Sequence, residues 1–294
     1  MSGLGEALQV LVSGAATGSV YALVAIGLVL LYRTTRILNF AHGDVGVLGT
    51  FLAYVGFTSL GLPFGIAFAL ALAAAAAIGA LIYLVVVRQA KTTSDLGLII
   101  LTLGLALALG GFDALVFGTD NKVVPTLAPD TIARFAGASF SVASLVTASL
   151  GVVLMLALWA LLTYTRLGVA MRAVAQRADV AEAMGLPVRT VLMATWAAAA
   201  VLATAAALLF APTTLLNPTM MLDPLSKGFV AAVIGGMNSL PGAVLGGYVL
   251  GVLELVVGVY VSLEFKASFA FLVVILMLLV RPHGLLGRPD VKRV

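Results

Sequence analysis

The chain has 294 residues, 62% of them hydrophobic and only 10% charged, against about 25% charged residues in an ordinary soluble domain. So little polar surface cannot cover a globule in water, so the solvent of this fold is lipid; the net charge of +4 is small and does not read as nucleic-acid binding. The absence of cysteine removes disulfides, thiolate metal sites and a cysteine nucleophile.

Apolar runs follow one another with little between them, at 7–32, 45–60, 62–87, 96–117, 141–163, 191–211, 228–261 and 267–280. A span needs roughly 20 such residues. The first basic residue is Arg33, so the basic start of a cleaved signal is missing and the first run reads as a retained span. The second run reaches span length once Phe40 to Asp44 are added. The run at 228–261 is too long for one crossing. It carries Gly235-Gly236 and Pro241-Gly242, which break or bend helices, and it divides there into a short segment and a full span. The last run is short, with Arg281 able to snorkel at its end. The expected fold is an all-α integral membrane bundle of about 8–9 transmembrane segments with two internally related halves. One transmembrane domain covers 1–294, with a cytoplasmic loop at 164–190.

Basic residues orient the bundle. Arg33, Arg36, Arg88, Lys91, Arg166, Arg172, Arg177, Arg189, Arg281, Arg288, Lys292 and Arg293 fall in connections that share one side. Lys122, Arg134, Lys227 and Lys266 are left for the other. The positive-inside rule places the larger set in the cytoplasm, with the N-terminus outside and the C-terminus inside. Small residues spaced four apart, Gly14/Gly18, Gly242/Gly246 and Gly247/Gly251, together with the stripe Ala73 to Ala77, let helix backbones approach closely. They serve bundle packing, or a face that slides or meets a second subunit.

Three places carry chemistry. Asn39-Phe40-Ala41-His42-Gly43-Asp44 opens the second span, with Asn39 as N-cap and Asp44 near the positive helix end. It is either a capped helix at the surface or a helix end facing a polar path, the arrangement by which transporters meet anionic substrate groups. Asn238, four residues before Gly242, repeats the spacing of Asn39 to Gly43 and suggests a second, related gate. In the loop 164–190, a helix from Met171 to Met184 would align Arg172, Gln176 and Asp179 on one face, with Val180 and Met184 as bulky apolar positions and Gly185 as its stop. So short a helix needs something to pack on, either its own bundle or a soluble partner.

Glu254 lies in the apolar stretch Gly251 to Val257 and should face protein or a wet cavity rather than lipid. As a structural acceptor it needs only its polar shape, so Glu254→Gln would be tolerated; as a proton relay it would not. Asp113 is the other intramembrane carboxylate. Together they allow a rival reading as an ion-gradient-driven secondary transporter or channel. An intramembrane enzyme is disfavoured, because neither Gly-x-Ser-x-Gly nor His-Glu-x-x-His occurs.

The chain resembles the LivH-type permease subunits of branched-chain amino-acid importers of the ATP-binding cassette class. The blocks that carry the resemblance are Tyr21-Ala22-Leu23-Val24-Ala25-Ile26-Gly27, Ile37 through Asp44, Arg172-Ala173 through Ala181 to Gly185-Leu186, Ala232 through Gly236 with Pro241-Gly242-Ala243, and Arg281-Pro282-His283-Gly284-Leu285-Leu286-Gly287-Arg288-Pro289. Gln176-Arg177 departs from the acidic or Asn residues many relatives carry. The resemblance implies a multi-pass protein of the bacterial cytoplasmic membrane that translocates leucine, isoleucine and valine. It further implies coupling of the 164–190 helix, through Arg172, Gln176, Asp179, Val180, Met184 and Gly185, to an ATPase. The implied partners are a homologous sister permease (a heterodimer), two cytoplasmic ATPases and an extracytoplasmic solute-binding protein. Relatives that carry urea or short amides give a second substrate reading. No Gly-Lys dipeptide occurs, so the phosphate loop of an ATPase is absent. ATP would be used by the partner subunits, and no cofactor or metal is expected on this chain.

Overall fold

Eleven helices and one hairpin make up the described residues, 3–90, 94–125, 131–135 and 138–287 of a computed structural model. Lys91, Arg288, Pro289, Lys292 and Arg293 lie outside them. In chain order the helices are α1 (Gly3–Thr35), α2 (His42–Thr58), α3 (Phe64–Ile82), α4 (Asp95–Phe117), α5 (Val142–Tyr164), α6 (Arg166–Gln176), α7 (Ala178–Ala183), α8 (Val188–Phe210), α9 (Leu222–Gly235), α10 (Leu240–Tyr260) and α11 (Leu263–Val280). A π-helical turn, Tyr83–Val87, extends α3.

Among the described residues six helical segments are long and apolar enough to cross a membrane: 5–35, 64–87, 96–117, 142–164, 188–213 and 240–260. The fold is therefore an all-α polytopic membrane protein. One departure from the sequence reading is the antiparallel hairpin β1 (Ile132–Phe135) and β2 (Ala138–Ser141), registered Ile132 opposite Ser141, in a stretch too short to show a strand alternation. The long run at 228–261 divides as its glycines and proline predict, at the non-helical residues between α9 and α10. α9 has 14 residues and so rises only about 21 Å.

The chain packs as two compact units. The first comprises 1–29, 126–152 and 224–294, and the second 30–125 and 153–223. In the second unit α8 is the central helix, packed against α2 and α3. Small residues make that contact close: a Cβ added at Gly46 would stand 2.6 Å from the Ala203 carbonyl oxygen, and one at Gly79 2.5 Å from that of Trp196. Of the stripe Ala73 to Ala77 only Ala75 is buried, while Ala73 and Ala77 are exposed; the small residues that α3 buries are Ala67, Ala71, Ala75 and Gly79, spaced four apart.

In the first unit all three glycine pairs meet other helices of the same chain. A Cβ at Gly14 would stand 2.8 Å from Val252 Cα, and one at Gly247 2.5 Å from Ala22 Cα. Gly242 and Gly246 turn instead to Gly235 and Ala231 of α9. The two pairs on α10 therefore seat it against α1 on one side and α9 on the other, the close backbone approach that small residues permit.

Candidate functional site

In the second unit α1 ends where Arg36 takes φ 57°, and five further residues precede α2. The Asn39 side-chain oxygen accepts from the Ala41 amide at 3.1 Å, which ties it to the loop. The N-cap of α2 is Ala41, without a side-chain hydrogen bond. The expected Asn39 cap is therefore corrected: the asparagine shapes the turn two residues before the helix. Asp44 does sit in the first turn. His42 is fully buried and its Nε2 has no hydrogen-bond partner among the described residues.

α4 runs alongside α2 in parallel register. The Thr102 hydroxyl donates to the Leu38 carbonyl at 3.0 Å, a Cβ at Gly110 would stand 3.6 Å from Asp44 Oδ1, and Phe51 stacks on Phe117 with centroids 4.6 Å apart. Asp113 lies one turn beyond Gly110 on α4. It is wholly buried, and neither carboxyl oxygen has a hydrogen-bond partner among the described residues. The sequence reading named Asp113 only for the rival transporter; the structure adds that it shares a helix pair with Asp44.

The first unit holds the other predicted residues. Glu254 is buried, as its apolar flanks require. Its Oε1 accepts from Lys227 Nζ at 2.7 Å and its Oε2 from the Tyr21 hydroxyl at 2.8 Å, with Lys266 Nζ at 3.9 Å. Lys227, placed by the sequence reading among the charges of the outer connections, is thus corrected: it is a buried residue of α9 in an ion pair. Glu254 does accept hydrogen bonds from neighbouring helices, and Lys227 adds a charge partner that the sequence reading did not foresee, one that a carboxamide in its place would not satisfy. A lysine bordering an apolar run and a carboxylate inside it form a pair that could have been foreseen, since neither can be buried alone.

Asn238 lies in the break between α9 and α10. Ser239 caps α10 by accepting from the Gly242 amide at 3.1 Å, and Pro241 occupies its first turn, where its missing N–H costs nothing. The C-terminal block folds onto this break. The amides of Leu285 and Leu286 donate to the carbonyls of Ile234 and Gly235 at 2.8 and 3.0 Å, satisfying oxygens at the end of α9 that the helix leaves open. Gly236 at φ 105° and Gly284 at φ 77° allow backbone to lie on backbone; a Cβ at Gly284 would stand 2.5 Å from Gly236 N. Sequence reading quoted both blocks without seeing that they touch, because nothing in their spacing encodes a pairing of loop backbones.

The loop 164–190 is two helices rather than one. Thr165 caps α6 by accepting from the Gly168 amide at 3.0 Å. Arg177 is extended, at φ −154° and ψ 99°, and separates α6 from α7. The alignment of Arg172, Gln176 and Asp179 on one helix face is therefore corrected. Arg177 instead binds Asp179, Nε to Oδ1 at 3.0 Å, and its guanidinium holds the Asp179 carboxyl down at about 2. The stop at Gly185 is confirmed: with φ 83° it closes α7 through Gly185 N to the Glu182 carbonyl and Leu186 N to the Ala181 carbonyl, the double bond of a Schellman end. Met171, Val174 and Ala181 are buried and both helices pack on α8, while Val180 and Met184 stay 47% and 80% exposed. Arg172, Gln176, Asp179 and Gly185 are exposed too. The loop packs on its own bundle with one face and leaves the other open. Among the described residues no group of three or more His, Cys, Asp or Glu could hold a metal.

Residues 10–280 match the family described as "Branched-chain amino acid transport system / permease component". The chain is 34% identical over 302 residues to the high-affinity branched-chain amino acid transport system permease protein LivH of Salmonella typhimurium, covering 98% of this chain and 97% of the relative. It is 33% identical to the permease protein BraD of Pseudomonas aeruginosa, with 98% of each chain covered. To the probable branched-chain amino acid transport permease protein LivH of Methanocaldococcus jannaschii it is 28% identical, over 90% of this chain and 88% of the relative. No solved structure matches.

Proposed function

We propose, from the premise that this chain belongs to the permease family of branched-chain amino acid transport systems, that it carries leucine, isoleucine and valine across the cytoplasmic membrane as a subunit of an ATP-binding cassette importer. The near full-length match to permeases of that name carries the reading. A permease of this kind does no covalent chemistry. It offers a path that alternates between the two sides while ATPase subunits close and open.

The exposed Val180 on α7 and Met184 at its C-cap support an ATPase contact there, because bulky apolar groups at a loop in water favour a partner. In this reading the loop 164–190 is cytoplasmic, the N-terminus outside and the C-terminus inside. Nine crossings follow, with α9 a short one. Two ATPases, a homologous sister permease and an extracytoplasmic binding protein complete the importer. The helix–break–helix passages at 36–41 and 236–239 are the counterparts of two related halves. Asn39, His42 and Asp44 in one unit, and Asn238 in the other, each belong to a gate within its own unit. Glu254 serves as the anchor of α9 rather than as a proton relay.

The test is ATP hydrolysis by the purified complex. Binding protein loaded with leucine, isoleucine or valine should stimulate it several-fold, and binding protein loaded with urea or acetamide should not. Stimulation by the amide alone would replace the amino-acid reading by the amide one.

A further inference from the structure

The first half of α1 carries Glu6, Gln9 and Ser13, spaced three and four apart and so on one helix face. α10 presents Leu255 and Val259, one turn apart. These five residues and Val10 line a groove of about 360 Å³, open on one side with Glu6 and Val259 exposed at its rim, at the lower end of the roughly 300–1,000 Å³ of small-molecule sites. Its wall is divided chemically. A carboxylate, a carboxamide and a hydroxyl stand along α1, and branched aliphatic side chains complete the lining. Three polar side chains on one face of a membrane helix are costly towards lipid and suit a wet path. Glu254, the neighbour of Leu255, does not compete for the groove, since both its oxygens are engaged by Lys227 and Tyr21.

We propose that this groove is a transit site for a zwitterionic amino acid with a branched apolar side chain. The ammonium group sits at the Glu6 carboxylate. The carboxylate of the cargo accepts hydrogen bonds from the Gln9 amide and the Ser13 hydroxyl, and its side chain lies on Val10, Leu255 and Val259. The division of the wall matches the division of such a molecule into a charged head and an aliphatic tail. The proposal rests on the transport reading above and adds the place where the cargo is held. With the N-terminus outside, the site lies toward the extracytoplasmic end of α1, where a binding protein releases its load.

The test uses the whole transporter in proteoliposomes, with L-leucine as the probe. Glu6→Gln should lower leucine uptake about tenfold, the loss of one charge-assisted hydrogen bond, with the ATPases still bound. Leu255→Trp, which fills the groove, should lower it further. The chain has no cysteine, so Val259→Cys gives a single reporter, and saturating leucine should slow its modification by a methanethiosulfonate reagent several-fold during turnover. Native uptake rates in both Glu6→Gln and Leu255→Trp, or a cysteine equally reactive with and without leucine, would overturn the site. A transporter without substitutions that carries no leucine would instead overturn the transport reading.

Discussion

Replacing Glu254 by glutamine tests the buried ion pair. The carboxylate and the Lys227 ammonium are 2% and 6% exposed, with 2.7 Å between nitrogen and oxygen. Removing one partner of a buried pair costs about 3–5 kcal/mol, because the other charge keeps its desolvation penalty without its counter-charge. Glu254→Gln keeps an acceptor for the Tyr21 hydroxyl, so the loss isolates the charge. Lys227→Met should be milder: the carboxylate still has Tyr21, and Lys266 stands 3.9 Å away on a partly exposed side chain. The double variant Lys227→Met with Glu254→Gln should recover most of the loss, as replaced buried pairs generally do. Thermal unfolding of the detergent-purified permease, followed by size exclusion of a fluorescent fusion, gives the cycle. The Glu254→Gln midpoint should fall on the order of 10 °C, at a few degrees per kcal/mol. A midpoint equal to the native one, or a double variant as unstable as the sum of the singles, would refute the pair as the anchor of α9.

Met184→Glu should leave insertion and folding intact yet strip the ATPase during purification, because a partner would have to bury its charge; native ATPase recovery rejects the contact. Cysteine at exposed Thr213 should label from outside and at exposed Ala178 only after the membrane is opened; external labelling of Ala178→Cys refutes the orientation. Gly284→Val puts a β-branched residue at φ 77° against Gly236, so the Leu285 and Leu286 amides should exchange hydrogen much faster in deuterium exchange; unchanged protection would contradict the docking of the tail. The Arg177 guanidinium lowers the Asp179 pKa from 3.8 to about 2. A depressed carboxyl contributes above its ordinary value and loses that contribution only as pH falls through its folded value. ATPase recovery should therefore be flat from about pH 8 down to about pH 5 as far as Asp179 is concerned, and a fall in that range that Asp179→Asn abolishes would contradict this.

The membrane helices were legible because lipid writes itself into composition: runs of apolar residues can be counted, and Gly235-Gly236 with Pro241 marks the division of the longest. The close packing was half legible. Four-residue glycine spacing announces a helix contact, but that Gly247 meets Ala22 while Gly246 meets Ala231 depends on which way α10 is turned. Local stops read well, as at Gly185, since a left-handed residue needs no distant partner. The Met171–Met184 helix failed at Arg177, whose bond to Asp179 two residues on competes with helical geometry. Lys227 was misplaced because it borders its apolar run, and only α10 beside it reveals why a lysine can be buried there.

Uptake of radiolabelled leucine into proteoliposomes tests the central claim most directly. The vesicles contain this chain with its sister permease and ATPases, the binding protein outside and ATP inside. Accumulation that requires ATP hydrolysis, persists when proton and sodium gradients are collapsed, and stops in an ATPase-dead complex is the predicted result. Accumulation by this chain driven by an ion gradient without ATP, and lost in Asp113→Asn, would contradict the importer and favour a secondary transporter.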